Sequence, residues 1–312
     1  MKKFYVFAAV AIAALASCTK SEVVYNQGQQ EIGFRQFTGA MTKADPSTSP
    51  LPTATSMGVF SYLDGTQTAY FENAKFVYKE DNKWGGATPY YWPLQGALDF
   101  VLYAPYQASG ATYTPGNKVL NVTITNNSTA QTDYLYGKDF YVTAKPATPS
   151  NGVPVVLKHA LSKVTIAAKA NAASIFTVSS IKLMQTIQEG SYTVTYNTIL
   201  HDFTSEVTGS STAAKKDMEY VSSGSSWTLT DNLSDNRASK LVVPSYQSCI
   251  VLKYSMQGST AEFTAKVDLT GSWETGKHYT YNLTLTADEI LFVPSVEDWK
   301  DQDASDVPVI NS

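Results

Sequence analysis

Apolar and polar residues alternate with a period of two along most of this chain. Leu120, Val122 and Ile124 alternate with Asn121, Thr123 and Thr125, and Val164 and Ile166 with Lys163 and Thr165. Threonines separate Tyr192, Val194 and Tyr196, while Thr264, Lys266 and Asp268 separate Phe263, Ala265, Val267 and Leu269. The cleanest stretch is Tyr279 to Thr286, four apolar or aromatic residues facing four polar ones. Successive side chains of a strand point to opposite faces, so this pattern predicts strands that bury one face and wet the other. Strands of that kind build antiparallel sheets packed as sandwiches. Lys75 to Trp84 predicts a hairpin turning at Glu80-Asp81-Asn82, and only Ala168 to Ala173 suggests a short turn of helix. The expected fold class is all-β.

Breaks in the pattern mark the organisation. Lys145 to Pro154 holds three prolines, a glycine and small polar residues, a stretch that cannot lie inside a sheet. It predicts a boundary between an amino-terminal β-sandwich over residues 44–150 and a carboxy-terminal one over 151–312, both of ordinary domain size. The alternative is a long loop within one domain. A second break, Thr42 to Thr55, contains Asp45-Pro46, Pro50 and Pro52. Ahead of it lies one isolated strand candidate, Glu31 to Phe37.

Composition narrows the class. Charged residues make up 16% of the chain, against about 25% in an ordinary globular domain. A net charge of −4 offers no attraction for nucleic acid. The 20 tyrosines, with abundant Thr, Ser and Asn, form a strand-and-turn vocabulary. At the amino terminus Lys2 and Lys3 precede an apolar run from Phe4 to Leu15, too short to span a bilayer. Leu15-Ala16-Ser17-Cys18 then resembles a bacterial lipobox. The resemblance implies that residues 1–17 are a lipoprotein signal peptide and that Cys18 is diacylated and usually acylated again at its new amino group. Two or three acyl chains hold a protein to a membrane where one does not. Cys249 is then left without a disulfide partner, and in Ser248-Cys249-Ile250-Val251-Leu252 it reads as a buried apolar thiol.

Catalysis finds no support. His159, His201 and His278 lie in separate contexts without metal spacing, and no nucleophile elbow, phosphate loop or dinucleotide fingerprint is present. Glu297 and Asp298 are adjacent in a strand-like segment and so point to opposite faces. No enzyme activity, cofactor or metal is expected. Trp84, Tyr90, Tyr91 and Trp92 form the densest aromatic cluster, which admits a second reading as a platform for sugar rings on a surface glycan-binding lipoprotein that does not polymerise.

The order of motifs resembles the fimbrillins, two-domain lipoprotein precursors of pili made by many anaerobic Gram-negative bacteria. After the lipobox come Glu31-Ile32-Gly33-Phe34, then Lys43-Ala44, then Pro89-Tyr90-Tyr91-Trp92-Pro93 and Leu98 to Tyr106. Val156 to Ile166, including His159, follows, and the series ends with Gly276 to Leu283 and Val296-Glu297-Asp298-Trp299. The resemblance implies two tandem transthyretin-like β-sandwich domains, preceded by a lipidated leader over residues 18–43. It implies export to the cell outer membrane and assembly into a fimbrium, with neighbouring subunits, a trypsin-like protease and the membrane as partners and host or bacterial surfaces as adhesive targets. The protease would cut at Lys43-Ala44, although members usually carry arginine there; Arg35 is the second choice, and an uncut chain would remain tethered. Loss of the first strand would open a groove for a strand from the next subunit, and such a head-to-tail contact propagates into a filament. The donor candidate is the segment carrying Ile290, Phe292, Val296 and Trp299, with an ordinary core strand as the alternative there. Val307 to Ile310 is a second apolar end, weakened by its proline.

Overall fold

A computed structural model describes residues 30–36, 53–63, 68–80, 83–107, 112–114, 119–123, 131–142, 152–171, 175–197, 202–209, 214–222, 224–286 and 290–299. No helix occurs among them. The first eight strands are β1 (Gly33–Gln36), β2 (Met57–Leu63), β3 (Ala69–Glu80), β4 (Lys83–Gly86), β5 (Leu98–Ala104), β6 (Thr112–Thr114), β7 (Val119–Thr123) and β8 (Leu135–Val142). Then come β9 (Val153–Val155), β10 (Leu157–His159), β11 (Ser162–Ala170), β12 (Phe176–Ile187), β13 (Glu189–Asn197) and β14 (Asp202–Gly209). The last are β15 (Lys215–Val221), β16 (Trp227–Thr228), β17 (Arg237–Val242), β18 (Cys249–Met256), β19 (Glu262–Asp268), β20 (Lys277–Leu285) and β21 (Ile290–Asp298).

The first sheet runs β10-β8-β5-β2-β3-β4-β1-β9. Its two ends, β9 and β10, are separated in the chain by Val156 alone. One short stretch therefore serves both edges, and the sheet must roll up on itself, which removes the free edges that invite aggregation. Inside lie Ile32, Phe34, Phe71, Phe76, Trp84, Trp92, Phe100, Leu102, Val153 and Leu157. The expected hairpin is present: Tyr78 pairs with Trp84 and Glu80 with Lys83 across β3 and β4. Val153–Val155 and Leu157–His159 complete this first sheet, so strand pairing carries past the expected boundary at residue 150.

Two further sheets, β17-β11-β20-β21 and β15-β12-β18-β19 with β16 on β12, share a second core that includes Val164, Ile166, Phe176, Ile181, Leu252, Trp273, Tyr281 and Leu283. A fourth sheet, β14-β13-β7-β6, joins strands from both halves of the chain, with Leu120 opposite Tyr192. Gln131 adds another tie, its amide accepting from Leu241 N at 2.7 Å and donating to Leu241 O at 2.9 Å.

Three local expectations give way. Of the stretch Ala168 to Ala173, Ala168 to Ala170 are strand, with Ala168 opposite Leu283 of β20, because pairing on both sides of β11 outweighs the helix preference of alanine; Ala172 and Ala173 lie outside the described residues. In β11 the polar positions are not wet either, since Lys163 and Thr165 are as fully buried as Val164 and Ile166. The reverse holds at the start of β19, an edge strand: Phe263 is 42% exposed, and Ala265 and Val267 are only partly buried against the second core.

Candidate functional site

The part of the fold that stands out is β1. It lies inside the first sheet, antiparallel to β4 and parallel to β9. Ile32 and Phe34 are wholly buried, and the Phe34 ring meets Phe76 at 5.1 Å and Phe100 at 5.0 Å, edge-on in both cases. Ile32 N donates to Tyr90 O at 2.7 Å, and Trp92 N to Gln30 O at 2.9 Å. Gly152, at φ +45°, enters β9 so close to β1 that a Cβ there would stand 3.0 Å from the Phe34 carbonyl carbon. β1 is thus a four-residue strand whose neighbours are built around it, yet the chain reaches β2 only at Met57.

The expected processing residues fall around this strand. Lys43, Ala44 and Cys18 lie outside the described residues. Arg35 exposes its side chain, but its backbone is paired to Lys83 on one side and Pro154 on the other, a conformation a protease cannot thread into its cleft without unzipping the strand.

β21 is the edge of its sheet and pairs, among the described residues, with β20 alone. Ile290 and Phe292 are half-buried against the second core, and Phe292 stacks on Tyr281 at 5.7 Å. Leu291, Val293 and Val296 are exposed by 47%, 60% and 58%. Val296, Pro294 and Phe292 also border an open groove of about 390 Å³ that reaches Gln247, Asp268 and Glu274. Trp299 follows the strand and is buried, its ring stacked on His159 at 3.6 Å and 9°. His159 Nδ1 stands 2.8 Å from Asp133 Oδ2, and Trp299 N donates to Gly276 O at 3.0 Å. Two motifs far apart in sequence, Val156 to Ile166 and Val296 to Trp299, therefore meet face to face.

The other titratable groups serve packing. His278 Nε2 lies 2.7 Å from Thr165 Oγ1, which lies 2.6 Å from Ser239 Oγ, and His278 Nδ1 is 3.2 Å from Glu297 Oε1. Asp298 pairs instead with Lys277, as opposite faces of one strand require. Burial raises the Tyr281 and Tyr220 phenols well above their ordinary value. Tyr281 OH accepts from Trp273 Nε1 and donates to Gln247 Oε1, both at 3.0 Å. Cys249 is buried and free. His201 lies outside the described residues. Among the described residues no group of His, Cys, Asp or Glu could hold a metal ion.

The alternative reading of Trp84, Tyr90, Tyr91 and Trp92 as an aromatic platform loses both tryptophans, while Tyr90 and Tyr91 are half-buried. Trp84 and Trp92 are buried, Tyr90 packs on Phe71 at 4.4 Å, and Trp92 stands edge-on to Phe100 at 5.9 Å. Flat aromatic faces at this turn fill the first core because the rolled sheet needs bulk there. Sequence reasoning missed Gln131 and Asp133. Nothing in a polar turn-like segment shows that one residue will mimic a strand partner for Leu241 and the other will orient a histidine.

A family model described as fimbrillin-like matches residues 42–299, and the chain belongs to the fimbrillin-like family. Among solved structures, a protein from Bacteroides uniformis assigned to cell adhesion aligns with a TM-score of 0.56 at 20% identity, over 88% of this chain and 100% of its own. A second, from Bacteroides ovatus and likewise assigned, gives 0.55 at 19% identity, over 87% and 97%. A fimbrial protein from Bacteroides vulgatus gives 0.56 at 13% identity, over 87% and 100%. At these identities the likeness establishes a shared all-β fold. No curated protein matches the chain.

Proposed function

We propose that this protein is a structural or adhesive subunit of a bacterial pilus, exported to the outer membrane as a lipoprotein through Cys18. It is assembled by strand exchange after a trypsin-like protease cuts at Lys43-Ala44. The observation that carries the reading is the position of β1, a short strand buried between β4 and β9 and joined to the rest of its sheet only through the segment that holds Lys43. A cut in that segment leaves β1 held by non-covalent contacts alone. Its departure would expose two strand edges and two apolar pockets, a strong template for another strand.

The donor is β21 of the next subunit. Ile290-Leu291-Phe292 repeats the apolar pair and spacing of Ile32-Gly33-Phe34, so Ile290 and Phe292 suit the pockets that Ile32 and Phe34 would vacate. The intervening position faces the other way. A Cβ at Gly33 would meet the far end of the Lys83 side chain at 2.6 Å, and that flexible end can swing aside for Leu291. With Trp84 and Trp92 buried in the first core, no observation favours a non-polymerising glycan-binding protein.

Limited trypsin treatment of unlipidated protein starting at Thr19, read by intact mass and on unboiled gels, tests the reading. A single cut after Lys43 followed by an SDS-resistant ladder is expected, and Phe292→Ala should weaken the ladder. A cut without any ladder defeats strand exchange.

A further inference from the structure

We infer that residues 153–159 couple the two ends of this device, so that loss of β1 loosens the hold on β21 in the same subunit. The inference rests on the strand-exchange reading above. Its physical basis is one unbroken run of contacts. β9 pairs in parallel with β1, Phe34 opposite Val153 and Gln36 opposite Val155, and β1 is its only strand partner among the described residues. One residue later the same chain becomes β10, whose Leu157 and His159 pair with Gly137 and Leu135 of β8. Val153, Val155 and Leu157 share the buried core that holds Phe34. β10 ends on His159, and His159 is the surface on which Trp299 lies.

What holds β21 makes that contact decisive. One edge of the strand pairs with β20, and Leu291, Val293 and Val296 bury little. Its carboxy-terminal end is fixed by the Lys277–Asp298 and His278–Glu297 pairs and by Trp299 on His159. The two pairs lie within the β20–β21 ladder, and Ile290 and Phe292 pack on the second core, whereas the tryptophan ties the end of the strand to β10 of the first sheet. Without β1, β9 has no partner, and Val153 and Val155 lose one wall of their packing. The short 153–159 segment then has fewer contacts fixing it, and His159 is less firmly presented to the indole. An intact subunit keeps its donor strand clasped, and a subunit that has lost β1 becomes both acceptor and donor. Such a link orders assembly, because uncut chains neither receive nor offer a strand. Coupling of this kind is reciprocal: loosening Trp299 must loosen β1 by the same factor.

Hydrogen exchange on unlipidated protein starting at Thr19 tests this, using Phe34→Ala to weaken β1, Trp299→Ala to release the clasp, and the double variant. Exchange across residues 290–298 is expected to accelerate about tenfold in Phe34→Ala, with residues 262–268 of the opposite sheet unchanged. In the Trp299→Ala background that exchange is already fast, and adding Phe34→Ala should change it by less than about twofold. Reciprocally, Trp299→Ala should speed exchange in residues 33–36 and 153–155. Phe34→Leu replaces Phe34→Ala if the latter does not fold. Acceleration at 33–36 with none at 290–298 overturns the inference, as does an undiminished effect of Phe34→Ala in the double variant. Coupled exchange in protein that never forms a ladder would defeat strand exchange while leaving the coupling intact. A ladder with uncoupled exchange would do the opposite.

Discussion

Phe34 is the residue through which the importance of β1 can be measured. Its side chain is wholly buried and makes two edge-on ring contacts, with Phe76 and Phe100. Truncation to alanine forfeits about 2 kcal/mol of transfer free energy. Each lost ring pair adds about 1 kcal/mol. Partial collapse of Ile32 and Phe71 into the space would offset little, since both are themselves packed. The expected destabilisation is about 4 kcal/mol, inside the usual range for a buried Phe→Ala change. Arg35→Ala, one position along the same strand with its side chain in solvent, should stay within about 0.5 kcal/mol of the parent. Equilibrium guanidinium unfolding, followed by tryptophan emission and by circular dichroism to check that both report one transition, gives the two numbers. A Phe34→Ala cost below about 1.5 kcal/mol, or equal costs at the two positions, would refute the claim that β1 is a keyed part of the first core.

Gln131→Ala removes both bonds to the Leu241 backbone and leaves a buried N–H and C=O unmatched, so it should cost about 2 kcal/mol by the same unfolding assay. The phenol of Tyr281 titrates higher in the folded protein than in the unfolded chain because burial disfavours the phenolate. Its stabilising effect is therefore complete below pH about 10 and lost as pH climbs above that value, where the unfolded chain releases its proton first. Chemical denaturation across alkaline pH should show stability falling in that window. Tyr281→Phe should be less stable at neutral pH, having lost its bonds to Trp273 and Gln247, yet decline less steeply in alkali.

Much of the strand content was legible because a period of two needs no knowledge of neighbours. The β3–β4 hairpin and the strands carrying Tyr192, Phe263 and Tyr279 all follow from local alternation. What alternation could not convey was which face meets water. Lys163 and Thr165 read as solvent positions but lie in a central strand, where Thr165 meets Ser239 and His278. Phe263 reads as a core position but lies on an edge strand. Position in the sheet order, set by long-range pairing, decides this, and no local signal carries it. The same limit applies to the aromatic cluster: Trp84 and Trp92 could have served a surface or a core, and closure of the first sheet put them inside.

The sequence by itself determined that this chain is all-β and that it resembles the fimbrillins from lipobox to Trp299. Those conclusions rest on alternation, composition and motif order, each readable one residue after another. Only the tertiary structure decided that β1 is embedded between β4 and β9, that residues 153–159 close both edges of one sheet, and that Trp299 lies on His159. The reason is physical: a buried contact depends on where two segments meet, and segments as far apart as Phe34, Val153 and Trp299 are brought together only by the strands folded between them.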